Sequence, residues 1–194
     1  MSARLPLLTP TDLDESQRAL YDSLVANEIP WAESAGVQAR RSDGALLGPF
    51  NPLLFSPVLA TAQLGVFRAD KVGTSLSPRV HEIVVLTVGS EWGADYELYA
   101  HSALAKVAGL SDIVIRELVS GQLPVFDSEE ETRAHAFARQ LAHRHRVDKR
   151  TYERALQAFG PKGVVDIVML VGLYLTVCAI INAFEVPTPE AMTR

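Results

Sequence analysis

Residues 77–101 read SPRVHEIVVLTVGSEWGADYELYAH, from Ser77 to His101. Ser77-Pro78 is an N-cap followed by an N1 proline, the pair that opens a helix. Val80, Ile83, Val84, Leu86 and Thr87 then give that helix an apolar surface around one carboxylate, Glu82. Gly93 breaks the path, and Asp95 is placed to cap a second helix carrying Tyr96, Glu97 and His101. Glu97 and His101 stand four residues apart, so on a helix they share a face, one turn apart. A carboxylate beside an imidazole can hold, donate or accept a proton near neutral pH. The stretch contains no cysteine.

The same helix grammar runs outward in both directions, and strand signals are nearly absent. Asp14 with Gln17 makes a capping-box pattern ahead of Leu20, Tyr21, Leu24 and Val25, in a helix that should end near Asn27, before Pro30. Residues 30–53, rich in Gly, Pro and small polar residues, read as a long irregular loop tipped by Gly48 to Pro52 (GPFNP). Ser56-Pro57 opens a helix with Val58, Leu59, Ala62, Val66 and Phe67, closed by Gly73. Leu110-Ser111 forms a staple and N-cap for a helix ending near Ser120-Gly121, and Ser128 with Glu131 forms another capping box. Asp148 opens the next helix and Gly160-Pro161 closes it. A long apolar helix follows, ended by Pro187 and Pro189. The expected fold is all-α, a single-domain bundle of about eight helices.

At 194 residues and with 48% apolar residues, the chain is large enough to bury one core. A net charge of −5 argues against nucleic acid, whose phosphates need a basic face. The run His143 to Arg146 (HRHR) is short and would spread around a helix, as a solvated C-terminal turn does. Ile167 to Phe184 carries no charge and has the length of a membrane span. Asp166 and Glu185 bound it closely, no Lys/Arg cluster flanks it and Asn182 lies inside. It therefore reads as a buried central helix, partly against another subunit, and no membrane partner is expected. The start of the chain lacks an apolar signal-peptide core, and Cys178 is the only cysteine, so the expected setting is cytoplasmic.

From spacing alone, Glu97 and His101 describe either a functional pair or an ordinary surface pair. Glu82 adds weight to the functional reading, because a carboxylate among such apolar neighbours needs a partner, and burial makes it a candidate acid or base. Its plain alternative is an exposed stripe, pairing with Arg79 or Arg116. Tyr96 and Trp92 are candidate pocket walls or packing residues, and Phe50 and Asn51 at the loop tip are candidate substrate contacts. His81 is about 100° around the helix from Glu82 and is expected outside the site. His135, His143 and His145 lack ligand spacing, so no metal is expected.

Glu82, then eleven residues, then Ala94-Asp95-Tyr96-Glu97 and His101, together with GPFNPLL (48–54), SPRVHEIVVLTV (77–88), Trp92-Gly93 and LVGLYLTVCAIINAFEVP (170–187), resembles the carboxymuconolactone decarboxylase and alkyl hydroperoxidase D superfamily. The resemblance covers roughly residues 46–190 and leaves residues 1–45 as an N-terminal helix-and-loop extension of one structural unit. It implies the all-α bundle of the alkyl hydroperoxidase D type and assembly as a trimer or hexamer. In the hydroperoxidase branch a Glu precedes a Cys-x-x-Cys motif and a His follows the second cysteine by four. On this chain the cysteine positions fall on Ala94 and Glu97, so the thiol relay has no nucleophile. Cys178 reads as an inert core thiol. The decarboxylase-like branch implies cofactor-independent proton transfer on a small carboxylated or lactone metabolite, with Glu82, Glu97 and His101 catalytic. Two further readings stay open: a peroxidase-type antioxidant, disfavoured by the missing cysteines, and a non-catalytic small-ligand binding or assembly protein.

Overall fold

The computed structural model describes residues 3–189, so position 190 of the expected domain lies outside the described residues. The helices are α1 (Glu15–Ala26), α2 (Glu28–Ser34), α3 (Phe50–Leu53), α4 (Pro57–Gly73), α5 (Pro78–Trp92), α6 (Asp95–Val107), α7 (Asp112–Val119), α8 (Glu129–Arg144) and α9 (Lys149–Ala183). No strand occurs among the described residues, only an isolated antiparallel bridge between Arg40 and Leu46. The all-α expectation holds.

Local capping accounts for most of the boundaries. Side-chain oxygens of Asp14, Ser77, Ser111, Ser128 and Asp148 accept from backbone N–H groups in the first turns of α1, α5, α7, α8 and α9, satisfying donors that no carbonyl reaches. Gly160 adopts φ 64° and ψ −179°, a backbone region open essentially only to glycine, and divides α9 into two helical halves just before Pro161.

Some boundaries differ from the sequence reading. The segment 30–53 is not a structureless loop: α2 absorbs Pro30 in its first turn, where no intrahelical N–H is needed, and α3 forms at Phe50–Leu53. Asp95 is the first residue of α6, not its cap. Ala94 holds the cap position, without a side-chain bond. Ser56 occupies the cap position of α4, but its hydroxyl makes no capping bond. At α8 only half the expected box forms, because Glu131 turns to Arg79 (2.6 Å) and to the backbone N–H of Asp127 (3.1 Å). Arg79 is thereby committed to α8 and not to Glu82.

Helix α5 is the hub. It packs against α6, α7, α8 and α9, and every residue from Glu82 to Gly89 is buried. One core joins α5 to α8 and α9 through Val84, Val88, Phe137, Ile167, Leu170 and Tyr174. A second joins the N-terminal residues Leu20, Leu24, Ile29 and Ala32 to Leu46, Leu54, Ala60 and Leu64, so the first 45 residues share a core with the segment that follows them. Helix α4 turns Val58, Leu59 and Val66 to the exterior and faces inward with Ala60, Leu64 and Phe67. The second half of α9 is long and apolar enough to cross a membrane by composition. It buries Ile167, Leu170, Val171, Tyr174, Cys178 and Ile181 while exposing Val165, Val168 and Met169.

Candidate active site

The antiparallel pairing of α5 with α6 across the tight Gly93 connection brings Glu82, from the second turn of α5, beside His101, near the middle of α6. Glu82 Oε2 lies 2.7 Å from Nδ1 of His101. The opposite ring nitrogen, Nε2, is 3.1 Å from Glu97 Oε1. That contact has ion-pair distance but not hydrogen-bond direction, so Glu97 Oε1 is buried with no hydrogen-bond partner. All three groups are enclosed, at 7%, 5% and 2% exposure for Glu82, His101 and Glu97.

Their proton affinities diverge. Burial works against ionisation of Glu82, yet His101 and then His81 outweigh it and hold its carboxyl down at about 2. Burial likewise opposes charge on His101, and the carboxylates of Glu82 and Glu97 overcome it, raising the imidazole above its usual value. For Glu97 burial dominates and pushes the carboxyl up. Glu82 is thus held ionised, while His101 and Glu97 both bind their protons more tightly than such groups ordinarily do. Groups so driven apart in proton affinity are arranged for acid–base chemistry.

His81, expected outside the site, belongs to it. Its Nδ1 is 3.3 Å from the free oxygen of Glu82, and its Nε2 is 2.9 Å from Asp70 on α4. Burial opposes its charge, but Asp70 and Glu82 carry it up to about 9. The flexible carboxylate stem bridges the 100° between neighbouring helix positions. Asp70, His81, Glu82, His101 and Glu97 thus form one continuous line of ionisable groups.

The line ends at a cavity of about 90 Å³ whose walls are almost wholly apolar. Glu97 and His101 reach it from α6, Trp31 and Ala32 from α2, Leu64 and Phe67 from α4, and Leu173 and Tyr174 from α9. Of the candidate contacts, Tyr96 and Phe50 also line it. The Tyr96 hydroxyl donates to the carbonyl of Gln38 (2.9 Å). Asn51 does not face the cavity: its side chain accepts from the Leu8 N–H and donates to the Pro6 carbonyl (both 3.0 Å), tying down the N-terminal segment. Trp92 lies at the end of α5, 38% exposed and away from the cavity, because its carbonyl is engaged by Asn182 on α9 (2.7 Å) and its ring faces outward.

Two wall residues, Trp31 and Tyr174, and Lys71 beside them carry no clear sequence signal. Trp31 sat in a segment read as loop. Tyr174 packs its ring edge-on to His101 at 5.0 Å between centroids, and a lone phenol in a charge-free helix was the one available hint. Lys71 holds its ammonium 3.5 Å from the Trp31 ring centroid, with burial lowering it to about 8. Glu28 also lines the cavity; it is buried and takes a two-pronged contact from Arg68 (2.8 and 2.9 Å).

Cys178 is fully buried, outside the cavity lining, and burial raises its thiol well above the usual range. No metal-ligating cluster of His, Cys, Asp and Glu occurs among the described residues.

No protein-family model matches the sequence, and no curated protein does. Solved structures do match in shape. A protein of unknown function from Agrobacterium tumefaciens, assigned by its describers to AhpD-type antioxidant defence, superposes with TM-score 0.64 at 18% identity, covering 72% of this chain and 96% of that one. The debrominase Bmp8, as a cysteine-to-alanine variant in complex with 2,3,4-tribromopyrrole, gives TM-score 0.68 at 18% identity over 98% of this chain and 95% of that one. Its apo form gives 0.63 at 19% over 84% and 89%. These likenesses show the fold: an AhpD-like all-α bundle.

Proposed function

We propose that this chain is a cofactor-independent enzyme that delivers a proton to carbon, at the end of a decarboxylation, on a small carboxylated or lactone-like metabolite. The observation that carries the reading is the cavity end of the ionisable line, where His101, 2.7 Å from Glu82, and Glu97, both with raised proton affinity, meet an apolar chamber. In such a reaction the bond to the carboxyl carbon breaks, carbon dioxide leaves, and the electron pair stays on the substrate. That pair then takes one proton from His101. The proton leaves from Nε2, on the cavity side, and Nε2 regains one from solvent once product has left, while Nδ1 keeps its proton directed at Glu82, which His81 and Asp70 in turn hold in place.

Two features favour decarboxylation over isomerisation within the Glu/His chemistry. An isomerase needs a base at the start, yet Glu82 stands behind His101 outside the lining, and Glu28, which does line the cavity, is engaged through both oxygens by Arg68. Apolar walls also disfavour a substrate carboxylate more than the charge-dispersed transition state of its loss. Thiol-dependent peroxide reduction is a poorer fit, because the sole cysteine is buried outside the lining. The tribromopyrrole bound by the debrominase is a small flat ring, a shape that aromatic walls such as Trp31, Phe50 and Phe67 would also accept.

The test is a screen of lactone acids and keto acids in deuterated water, following carbon dioxide release and deuterium in the product. One solvent deuterium should enter at the former carboxyl-bearing carbon. His101→Ala should lower turnover by about 10²-fold or more. Turnover unchanged in His101→Ala sinks the mechanism, and tight ligand binding without any turnover turns the reading to a binding protein.

A further inference from the structure

The C-terminal half of α8 borders a surface groove of about 380 Å³ that shares no lining residue with the candidate active site. His135, Arg139 and His143 stand at four-residue intervals, so they share one face of the helix over about 12 Å. Arg144 lines the same groove, and Leu123 and Ala136 give it an apolar side. Glu91, in the last turn of α5, accepts from Arg139 Nε and from His143 Nδ1 (both 2.9 Å) and fixes the two side chains in place. The terminal nitrogens of Arg139 and the whole Arg144 guanidinium make no hydrogen bond among the described residues.

His135 adds a buried group without a partner. It is 4% exposed, yet its ring makes no hydrogen bond among the described residues. Its nitrogens are not sealed off, for the enclosed unpaired polar atoms among the described residues are Glu97 Oε1, Arg133 Nε and the Tyr174 hydroxyl. The open space beside the ring is this groove and a small pocket next to Thr87 and Ser90, and Arg139 borders both. Burial and then the Arg139 charge hold the imidazole down at about 4, so it is neutral, with one N–H to donate. Buried polar groups are normally paired, and here the groove is where a partner can enter.

We propose that this groove binds a small phosphate monoester, its phosphoryl oxygens held by Arg139, Arg144 and the His135 N–H, with Leu123 and Ala136 receiving the organic group. The free guanidinium N–H groups outnumber what two carboxylate oxygens accept and suit the three terminal oxygens of a phosphate. The chain carries a net charge of −5, so this donor-rich stripe is not part of a general basic surface. Its volume lies within the range of small-molecule sites.

Calorimetric titration of the full chain at fixed ionic strength compares phenyl phosphate with benzoate, which has the same ring and a carboxylate, and with inorganic phosphate. Phenyl phosphate should bind about tenfold tighter than either. Arg144→Gln should weaken it about tenfold and leave Tm unchanged, because that side chain has no bond to lose. His135→Phe keeps a ring packed on Phe126 and should weaken binding about fivefold without lowering Tm. Losses in these two variants locate the binding in the groove, because neither residue lines the active-site cavity. No saturable binding of phenyl phosphate, equally tight benzoate or inorganic phosphate, or an affinity unchanged in both variants would each overturn the assignment.

Discussion

Glu82 Oε2 meets His101 Nδ1 at 2.7 Å, on the side of the imidazole opposite Glu97, so the ring stands between two carboxylates of opposite proton affinity. A Glu82→Gln substitution keeps a hydrogen-bonding side chain and removes the charge that favours the imidazolium. The His101 titration midpoint, followed by NMR of the ring protons, should fall by about one pH unit or more. The alkaline limb of any activity should move with it. An unmoved midpoint would show that the imidazole is not held charged by Glu82.

The His81 pairs make stability depend on pH with a definite sign. Its folded value is raised to about 9, so its contribution is complete below about 6.5 and is lost as pH rises through 9. Glu82 is lowered to about 2, so its contribution is present above about 4.5 and is lost as pH falls toward 2. The two overlap between about pH 4.5 and 6.5. Urea unfolding from pH 6 to pH 10 should show wild type losing on the order of 2 kcal/mol more than His81→Gln. Parallel curves for the two proteins would contradict the pairing.

Arg68 neutralises Glu28 in the cavity wall. Replacing it with Met strands a buried carboxylate. Because Arg68 is itself 41% exposed, the expected loss is moderate, about 2 kcal/mol in chemical denaturation. Adding Glu28→Leu should recover most of it, since the cost comes from the unpaired charge.

Gly48 has φ +63°, and a β-carbon there would overlap the Tyr96 ring, a wall of the cavity. Gly48→Ala should cost about 3 kcal/mol through backbone strain and overpacking together. The measurement is the denaturation midpoint, with near-ultraviolet circular dichroism reporting displacement of the tyrosine.

Val58 and Leu59 on α4 and Val165, Val168 and Met169 on α9 expose large apolar side chains on two helices that pack together. Apolar exposure on this scale favours self-association. Light scattering coupled to gel filtration should return a mass several times that of one chain. Leu59→Glu with Met169→Glu should bring it down, and a wild-type monomer at micromolar concentration would refute the prediction.

Helix ends were the most legible part of the molecule, because a cap is decided within four residues. Asp14, Ser77, Ser111, Ser128 and Asp148 all bond locally, and Gly160-Pro161 breaks the chain wherever it is placed. The Gly and Pro content of segment 30–53 signals turns, while α2 forms by packing Ile29 and Ala32 into a core made with α1 and α4. Composition within that window carries no trace of those distant neighbours.

The sequence by itself determined an all-α chain, a carboxylate placed nineteen residues before an imidazole, a second carboxylate one turn from that imidazole, and no cysteine among them. Those properties follow from residue identity and helical periodicity, which are local. Tertiary structure alone decided that Glu82 turns to His101 and not to Arg79, that His81 and Asp70 extend the line, and that Tyr174 and Trp31 close the chamber. It also sent Trp92 outward and bound Asn51 to the N-terminal segment. A side chain's partner depends on which helices cross beside it and at what height, and that is settled by burial of the whole core.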